Sequence, residues 1–441
     1  MTTTIFALAS GGGRAALSVY RLSGPEAGPI LRALTGDDHP RPRLASLRTL
    51  RDRRGAEIDK GLVLWFPAPA SFTGEDVVEL HLHGGRAVSQ AIAAALVDLG
   101  ARPAEPGDFT RRAFEAGKMD LTQAEAIADL VDADTAAQRR QALVQMEGRL
   151  GRLYEGWRGE ILRAQAHLEA AIDFAEEDLP ADLIASSKAA LADLAGRIHS
   201  HLADGGRGER VRDGLRVVLL GAPNAGKSSL LNQLAGRDAA IVSSTAGTTR
   251  DVIEVSVDLG GYPLLLADTA GLRGGAEEIE REGVRRALAR ADAADIKLLV
   301  LDGAAWPHLD AESLELLDER CLVILNKVDL IAGAIPDRLH DHPVIGLSAL
   351  TGEGIELLLQ RLTAAAEERM AGDGAPALTR ARHRASLNDA EAALRRAQQQ
   401  TLPELVAEDV RVAARAIGRI TGRVDVEAML DIIFREFCIG K

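Results

Sequence analysis

Short apolar runs separated by turn residues fill the first part of the chain, up to about residue 118. The runs at residues 16–20 and 77–82 alternate in part between apolar and polar side chains, and glycine or proline follows soon after each. Such alternation is typical of short strands with one buried face. The pattern predicts a small α+β domain at residues 1–118.

The pattern changes near residue 119 to a long stretch rich in alanine, leucine, glutamate and arginine. This stretch continues to about residue 201 and contains one interior proline, Pro180. Several apolar positions share one helical face: Leu121, Ile127, Leu130 and Val131. A similar texture returns between residues 378 and 430. Both stretches predict long helices that pack as a bundle.

Strand-like and helical segments alternate between the two helical stretches. The strand-like runs are residues 215–220, 264–267, 296–301 and 322–325, and glycine-rich linkers near 205–208 and 372–376 bound the region. Alternating β and α segments predict a doubly wound, mostly parallel sheet. We interpret it as a domain at 213–374 inserted into one helical domain with halves at 119–212 and 375–441. Two separate helical bundles are the alternative.

Composition narrows the class of protein. The 441 residues carry a formal net charge of −13, so the chain lacks the overall basic character of proteins that coat nucleic acid. Its two cysteines, Cys321 and Cys438, are too few for a disulfide framework or a cysteine-based zinc site. With neither a signal pattern nor an apolar run of membrane-spanning length, we expect a cytoplasmic protein with no membrane association.

A phosphate-binding loop is the strongest chemical signal in the sequence. Gly221-Ala-Pro-Asn-Ala-Gly226-Lys227-Ser228 follows the apolar run at 215–220 and opens a helical segment. Backbone N–H groups of such a loop surround phosphate oxygens at a helix N-terminus. We expect Lys227 to reach the β- and γ-phosphates and Ser228 to bind Mg²⁺.

Two further segments fit the parts of a nucleotide-hydrolysing site. Asp268-Thr269-Ala270-Gly271 follows a predicted strand, where the carboxylate can hold Mg²⁺ through water and the Gly271 N–H can meet the γ-phosphate. A hydroxyl of the segment 243–251 can complete the Mg²⁺ shell in the triphosphate state and release it after hydrolysis. Thr249 is our candidate.

A guanine-recognition motif follows the run at 322–325. The carboxylate of Asp329, in Asn326-Lys327-Val328-Asp329, can accept from two guanine donors that adenine lacks. Ser348, Ala349 and Leu350 fit the loop that closes over the base. We therefore predict GTP binding by a set of residues that also includes these loop positions: Asn224, Ala225, Gly226, Lys227, Ser228, Ser229, Ser243, Ser244, Thr245, Ala246, Gly247, Thr248, Thr249, Asp268, Thr269, Ala270, Gly271, Asn326, Lys327, Asp329, Ser348, Ala349 and Leu350.

Leu272 stands where Ras-like enzymes place a glutamine that orients the attacking water. Because leucine has no polar atom, another group must hold the water. The candidates are downstream glutamates, with nearby arginines as charge stabilisers: Glu278, Glu280, Glu282, Arg250 and Arg273.

The chain resembles the tRNA modification GTPase family MnmE, also called TrmE, over essentially its whole length. The resemblance rests on a set of motifs outside and inside the P-loop region: Tyr20-Arg21-Leu-Ser-Gly-Pro25, Glu105-Pro-Gly-Asp-Phe-Thr-Arg-Arg-Ala-Phe114, Lys118-Met-Asp-Leu-Thr-Gln-Ala-Glu-Ala-Ile127, the P-loop, Ala246-Gly-Thr-Thr-Arg-Asp251 and Phe437-Cys-Ile-Gly-Lys441. It implies an N-terminal folate-binding domain, a split helical domain, an inserted Ras-like G domain and a homodimer formed through the N-terminal domains.

The resemblance also implies a chemistry and a partner. Such proteins act with an FAD-dependent flavoprotein, MnmG, on C5 of the wobble uridine of certain tRNAs, with a reduced folate as one-carbon donor. The residues implied for folate are Arg21, Glu79, Lys118 and Lys441. Those implied for K⁺ are Asn224, Ser243, Thr245 and Thr248, and Glu280 is implied to position the attacking water, so that Glu280, Lys227 and Thr249 form the expected catalytic set.

Some positions and functions stay open at this stage. Cys438 is either a reactive thiol or a small buried hydrophobe. Arg411, Arg415 and Arg419 share a helical face, which is either solvated or a track for tRNA phosphates. A ribosome-assembly switch without covalent chemistry, or a slow signalling GTPase that needs an activating protein, would carry the same P-loop domain.

Overall fold

A computed structural model gives the fold. It describes residues 3–173, 183–236, 240–241, 254–268, 292–309, 311–331, 333–372, 376–424, 427–435 and 437–440. The chain divides into two compact units. The first comprises Met1–Val131, Gln145–Ala192 and Ala392–Lys441, and the second comprises Asp132–Val144 and Asp193–Glu391.

A mixed sheet forms the N-terminal part of the first unit. Its strands have the order β3-β4-β5-β2-β1-β6, with β6 parallel to β1 and the other neighbours antiparallel. The strands are β1 (Ile5–Leu8), β2 (Ala15–Ser23), β3 (Ser46–Arg51), β4 (Glu57–Phe66), β5 (Val77–Gly84) and β6 (Arg102–Pro103).

Alternation along these strands decides which side chains are buried. In β5, Val78, Leu80 and Leu82 are buried in a core that helices α1 (Ala27–Thr35) and α2 (Arg86–Asp98) help to form, while Glu79 and His81 point to the opposite face. The two runs predicted as strands lie within β2 and β5, so the predicted α+β character of this region is confirmed.

Helices form the rest of the first unit, as the sequence predicts. They are α3 (Asp108–Glu115), α4 (Leu121–Val131), α6 (Arg149–Asp173), α13 (Pro403–Thr421) and α14 (Glu427–Arg435). Helices α6 and α13 pack along each other, and the Thr421 hydroxyl donates to Glu155 at 2.5 Å. The buried faces of α4 and α14 meet in a smaller apolar cluster around Leu121 and Phe434. Two more helices, α7 (Leu183–Leu202) and α12 (Ala381–Gln399), have residues in both units.

The second unit contains a sheet with the order β13-β14-β12-β11-β7-β10-β9-β8 among its described strands. Five adjacent strands are parallel, and antiparallel strands extend the sheet on both sides. The strands are β7 (Leu215–Leu220), β8 (Ala240–Ile241), β9 (Glu254–Leu259), β10 (Tyr262–Asp268), β11 (Ile296–Asp302), β12 (Cys321–Asn326), β13 (Arg338–Leu339) and β14 (His342–Gly346).

Apolar clusters cover both faces of this sheet, which confirms the predicted mixed α/β architecture with parallel central strands. The helices of this unit are α5 (Ala136–Met146), whose first nine residues belong to it, α8 (Arg207–Asp213), α9 (Lys227–Ala235), α10 (Ala311–Leu314) and α11 (Ile355–Met370). All four predicted strands are present, and three of them are longer than the apolar run that predicted them. Within the described residues, no helix is both long and apolar enough to cross a membrane.

Candidate guanine-nucleotide site

The phosphate-binding loop connects β7 to α9. Gly221 adopts a φ of +131°, and a Cβ at this position would lie 2.1 Å from the Val300 carbonyl oxygen of β11, so that only glycine fits. Lys227 is buried, with 6% of its surface exposed, and its amine donates to the carbonyl oxygens of Gly221 and Ala222 at 2.8 Å each. The loop thus folds around the lysine amine.

Ser228 and Asp268 form the part of the site suited to Mg²⁺. The Ser228 hydroxyl donates to the Asp268 carboxylate at 2.6 Å, and Asp268 is only 6% exposed. Hydroxyl and carboxylate oxygens are the hard ligands that Mg²⁺ prefers. The two side chains therefore fit the ion.

Asn326 joins the phosphate loop to the loop beyond β14. This buried side chain donates from Nδ2 to the Ala225 carbonyl at 2.8 Å and accepts from the Ala349 N–H at 2.9 Å. The sequence predicts Asn326 as part of the nucleotide site, but it does not predict this bridging role. Both of its partners are distant in sequence. The only sequence signal for these two hydrogen bonds is the asparagine itself, at the end of a strand.

Lys327 has a partner that sequence reasoning missed. It adopts a left-handed φ of +63°, and its amine lies 2.6 Å from the carboxylate of Asp302, the last residue of β11. The ion pair holds this lysine, which is part of the base-recognition motif, against the end of β11. Asp302 could be suspected only from its place at the end of a parallel strand, since ligands of such sheets bind at the carboxyl ends of strands.

A cavity of about 700 Å³ lies between the phosphate loop and the guanine motif. Asp329 lies on its wall, and Ser348 is fully buried below it, accepting from the Thr351 N–H at 3.2 Å. The cavity is lined by Gly226, Ser229, Asn232, Gln233, Gly236, Asn326, Lys327, Asp329, Leu330, Ser348, Ala349 and Leu350. Asn232, Gln233, Gly236 and Leu330 were not among the sequence-predicted residues.

The structure thus brings together the described members of the predicted nucleotide site. Asn224 occupies the exposed tip of the phosphate loop with a left-handed φ of +62°. Other predicted members lie outside the described residues: Ser243, Ser244, Thr245, Ala246, Gly247, Thr248, Thr249, Thr269, Ala270, Gly271, Glu280 and the folate candidate Lys441, together with Leu272, Glu278, Glu282, Arg250 and Arg273.

Comparison with known proteins places the chain in a family. The profile described as GTP-binding protein TrmE N-terminus matches residues 4–118, and the MnmE helical domain profile matches residues 121–438. A curated protein of Paramagnetospirillum magneticum named tRNA modification GTPase MnmE is 59% identical over 441 residues, covering 100% of both chains. The chain belongs to the MnmE family. Its resemblance to that family, and the prediction that it is a GTPase involved in tRNA modification, are confirmed.

Two other MnmE relatives are nearly as similar. The Parvibaculum lavamentivorans protein is 56% identical over 99% of this chain and 100% of its own length, and the Rhodospirillum rubrum protein is 54% identical over 99% of both. Both are named tRNA modification GTPase MnmE. Both matches extend from end to end.

In this MnmE-family chain, two of the four folate candidates, Arg21 and Lys118, contact one loop of the N-terminal sheet, and a third, Glu79, pairs with Arg21. Arg21 and Glu79 lie opposite each other on β2 and β5, and the guanidinium donates to Glu79 from Nε at 3.2 Å and Nη2 at 2.9 Å. The Arg21 guanidinium also lies 5.8 Å from the centroid of the Phe72 ring, which belongs to the loop 67–76. The Lys118 amine donates to the Pro69 carbonyl of the same loop at 2.5 Å.

The remaining candidates differ in their surroundings. Cys438 is exposed, so of its two interpretations the buried hydrophobe is wrong. Cys321 is buried, and burial raises the pKa of its thiol. Arg411 pairs with Glu408 and with Glu169 of α6, so acidic groups already contact one member of the predicted arginine face.

Proposed function

We propose that this chain couples GTP hydrolysis to the modification of C5 of the wobble uridine in tRNA, together with an FAD-dependent flavoprotein of the MnmG type. The observation that carries the proposal is the joined nucleotide site. Asn326 links the phosphate loop to the base loop, and the chain matches proteins named tRNA modification GTPase from end to end.

The described side chains have separate tasks in this proposal. Lys227 exchanges its bonds to loop carbonyls for bonds to the β- and γ-phosphates, and Asp329 accepts from the guanine base. Ser228 would hold Mg²⁺, with Thr249 as a further ligand in the triphosphate state and Asp268 acting through water. Bound there, the ion neutralises charge that develops on the phosphate oxygens.

Leu272 leaves the attacking water without the usual glutamine, and we assign that water to Glu280. A K⁺ ion beside the phosphates would supply positive charge where other GTPases use an arginine. Its ligands in this proposal are Asn224, whose amide stands at the exposed loop tip, and oxygens of Ser243, Thr245 and Thr248.

The N-terminal domain is proposed to bind a reduced folate of the 5-formyl- or 5,10-methylene-tetrahydrofolate type. Arg21 and Lys118 are cations that can meet carboxylate or pterin oxygens, and Glu79 can accept from pterin N–H groups. Lys441 would join them. The domain boundaries 1–118, 119–212, 213–374 and 375–441, the homodimer and a cytoplasmic location belong to the same proposal.

The nucleotide assignment is tested by changing one hydrogen-bond partner. Asp329→Asn replaces an acceptor by an amide and should weaken GTP binding by at least about tenfold, because guanine donors lose their carboxylate. Xanthosine triphosphate should bind this variant better than GTP, since the amide can donate to the xanthine carbonyl. Equal GTP affinity of variant and wild type in a nucleotide titration would contradict the assignment.

The tRNA assignment needs a separate experiment. Deletion of the gene should abolish the modified wobble uridine in total tRNA nucleosides, and the Asp329→Asn variant should fail to restore it. Normal nucleosides together with accumulated ribosomal precursors would instead indicate a ribosome-assembly GTPase.

A further inference from the structure

Helix α5 begins with a reciprocal capping arrangement. The Gln138 Oε1 accepts from the backbone N–H of Thr135 at 3.0 Å, and the Thr135 hydroxyl accepts from the Gln138 N–H at 3.3 Å. This is the capping box of threonine followed three positions later by glutamine. The acceptor end of the Gln138 amide is therefore used within the helix.

The donor end of the same amide reaches the end of α8, just before β7. Gln138 Nε2 donates to the Arg212 carbonyl at 3.0 Å. One residue earlier, the Ala137 N–H donates to the Gly261 carbonyl at 2.9 Å, and the Ala137 side chain belongs to the apolar core under the sheet. The first turn of α5 is thus bonded to two separate backbone positions of the second unit.

These two carbonyls precede neighbouring strands, and that of Arg212 belongs to the last turn of α8. Arg212 precedes β7 by three residues, and Gly261 directly precedes β10. The strands pair in parallel from Leu264↔Leu215 to Asp268↔Leu219. Their opposite ends lead to Ser228 and Asp268, the pair that fits Mg²⁺.

We propose that Gln138 is a positioning residue for the Mg²⁺ pair. By holding the start of β7 while Ala137 holds the start of β10, the first turn of α5 sets how far each strand extends toward the nucleotide. Mg²⁺ accepts only a narrow range of ligand distances, near 2.0–2.1 Å. A small shift of one strand against the other therefore weakens Mg²⁺ binding before it unfolds the sheet.

The decisive substitution is Gln138→Glu. Glutamate keeps the capping box, because its carboxylate still accepts from Thr135, but it cannot donate to the Arg212 carbonyl. The chain contains a matched control in α4. Gln123 accepts from the Asp120 N–H at 3.0 Å and donates to the Met146 carbonyl at 3.0 Å, all within the first unit. Gln123→Glu makes the same chemical change within the first unit.

The experiment measures Mg²⁺ dependence on the full-length protein. The rate at which a fluorescent GDP is released is followed at increasing Mg²⁺ concentration. This test rests on the proposed nucleotide function. Gln138→Glu should raise the half-effective Mg²⁺ concentration by about fivefold, a coupling typical between linked sites. Its GDP affinity without Mg²⁺ should stay at the wild-type value, and Gln123→Glu should match wild type throughout.

Two different negative results have different meanings. If wild type binds no GDP, the proposed function fails. If wild type binds GDP in a Mg²⁺-dependent way and Gln138→Glu has the same dependence, the positioning role is overturned.

A second measurement uses only wild type, so that it tests the proposal even if Gln138→Glu folds poorly. In wild type, hydrogen exchange of the Ala137 amide should slow severalfold when Mg²⁺ is added to the GDP complex, because coupling is reciprocal. The Ala124 amide, which donates to Asp120 at the start of α4, should not change. Unchanged exchange at Ala137 would overturn the proposal.

Discussion

Gly226 lies directly against the side chain of Asn326. A Cβ on this glycine would stand 2.1 Å from the Asn326 Nδ2, and the glycine has a φ of +98°. Since Asn326 also binds Ala225 and Ala349, one missing side chain allows the phosphate loop and the base loop to share a single asparagine. Phosphate recognition and base recognition are therefore mechanically linked.

Gly226→Ala should displace Asn326 and break this link. The backbone strain and the lost hydrogen bonds together should weaken GTP binding by at least about tenfold, from costs of about 1–3 kcal/mol each. A nucleotide titration measures the loss. Gly352→Ala is the matched control, because Gly352 has a φ of +85° but no atom within 4 Å of the added Cβ. Wild-type affinity in Gly226→Ala would contradict the close contact.

Asn224→Ala should abolish stimulation of GTP hydrolysis by K⁺ while leaving nucleotide affinity within about threefold. The residue has a φ of +62°, so alanine adds backbone strain of about 1 kcal/mol. Asn224→Gly removes the same amide without that strain and should lose K⁺ stimulation equally. Turnover is compared in K⁺ and Na⁺ buffers of matched ionic strength. Equal wild-type turnover in the two buffers would reject the K⁺ site.

Arg21→Lys should weaken binding of 5-formyl-tetrahydrofolate by about tenfold or more. Lysine cannot make the two bonds to Glu79 that hold the guanidinium beside the Phe72 ring. Calorimetric titration gives the affinity. Arg51→Lys changes an exposed pair with Glu57 and should bind folate like wild type. Absence of heat with the wild type at high protein concentration would count against the folate proposal itself.

Asp318→Asn should lower the midpoint of thermal unfolding by a few degrees at neutral pH. Burial alone would raise the pKa of Asp318, but hydrogen bonds from Lys297 and Arg320 outweigh it and hold the pKa well below the ordinary 3.8. A depressed pKa stabilises the fold above the unfolded value and loses this effect as pH falls through the folded one. The stabilities of the variant and wild type should therefore begin to converge only as the pH falls below about 4, and should continue to converge down to the lower folded pKa. A difference that stays constant with pH would contradict the ion pairs as its cause.

The ends of a strand were predictable from the sequence where glycine residues interrupt the extended backbone on either side of it. The apolar run at 215–220 coincides with β7 because Gly214 and Gly221, both with positive φ, end it on either side. The run at 322–325 was one residue short at each end. The polar side chain of Asn326 predicts a loop residue, but its backbone still pairs with Asp302 in the sheet.

Contacts between distant segments could not be predicted in the same way. Thr135 and Gln138 form a readable capping motif, but nothing local indicates that the amide also meets Arg212. The Lys327–Asp302 pair likewise depends on two strand ends that the fold brings together. Local sequence patterns predict the secondary-structure elements and their caps. Side-chain contacts between distant segments depend on the topology of the folded sheet and cannot be predicted from local patterns.

The packing of α6 against α13 has a consequence for synthesis on the ribosome. Helix α6 ends at Asp173, and α13 begins at Pro403, about 230 residues later. At a synthesis rate of about 5–20 residues per second, roughly 10 to 50 s pass between the synthesis of α6 and that of its partner helix. The second unit, which ends at Glu391, is complete before then, so we expect it to fold first in the growing chain. Until α13 emerges, the exposed stripe of α6 is a surface that chaperones can protect.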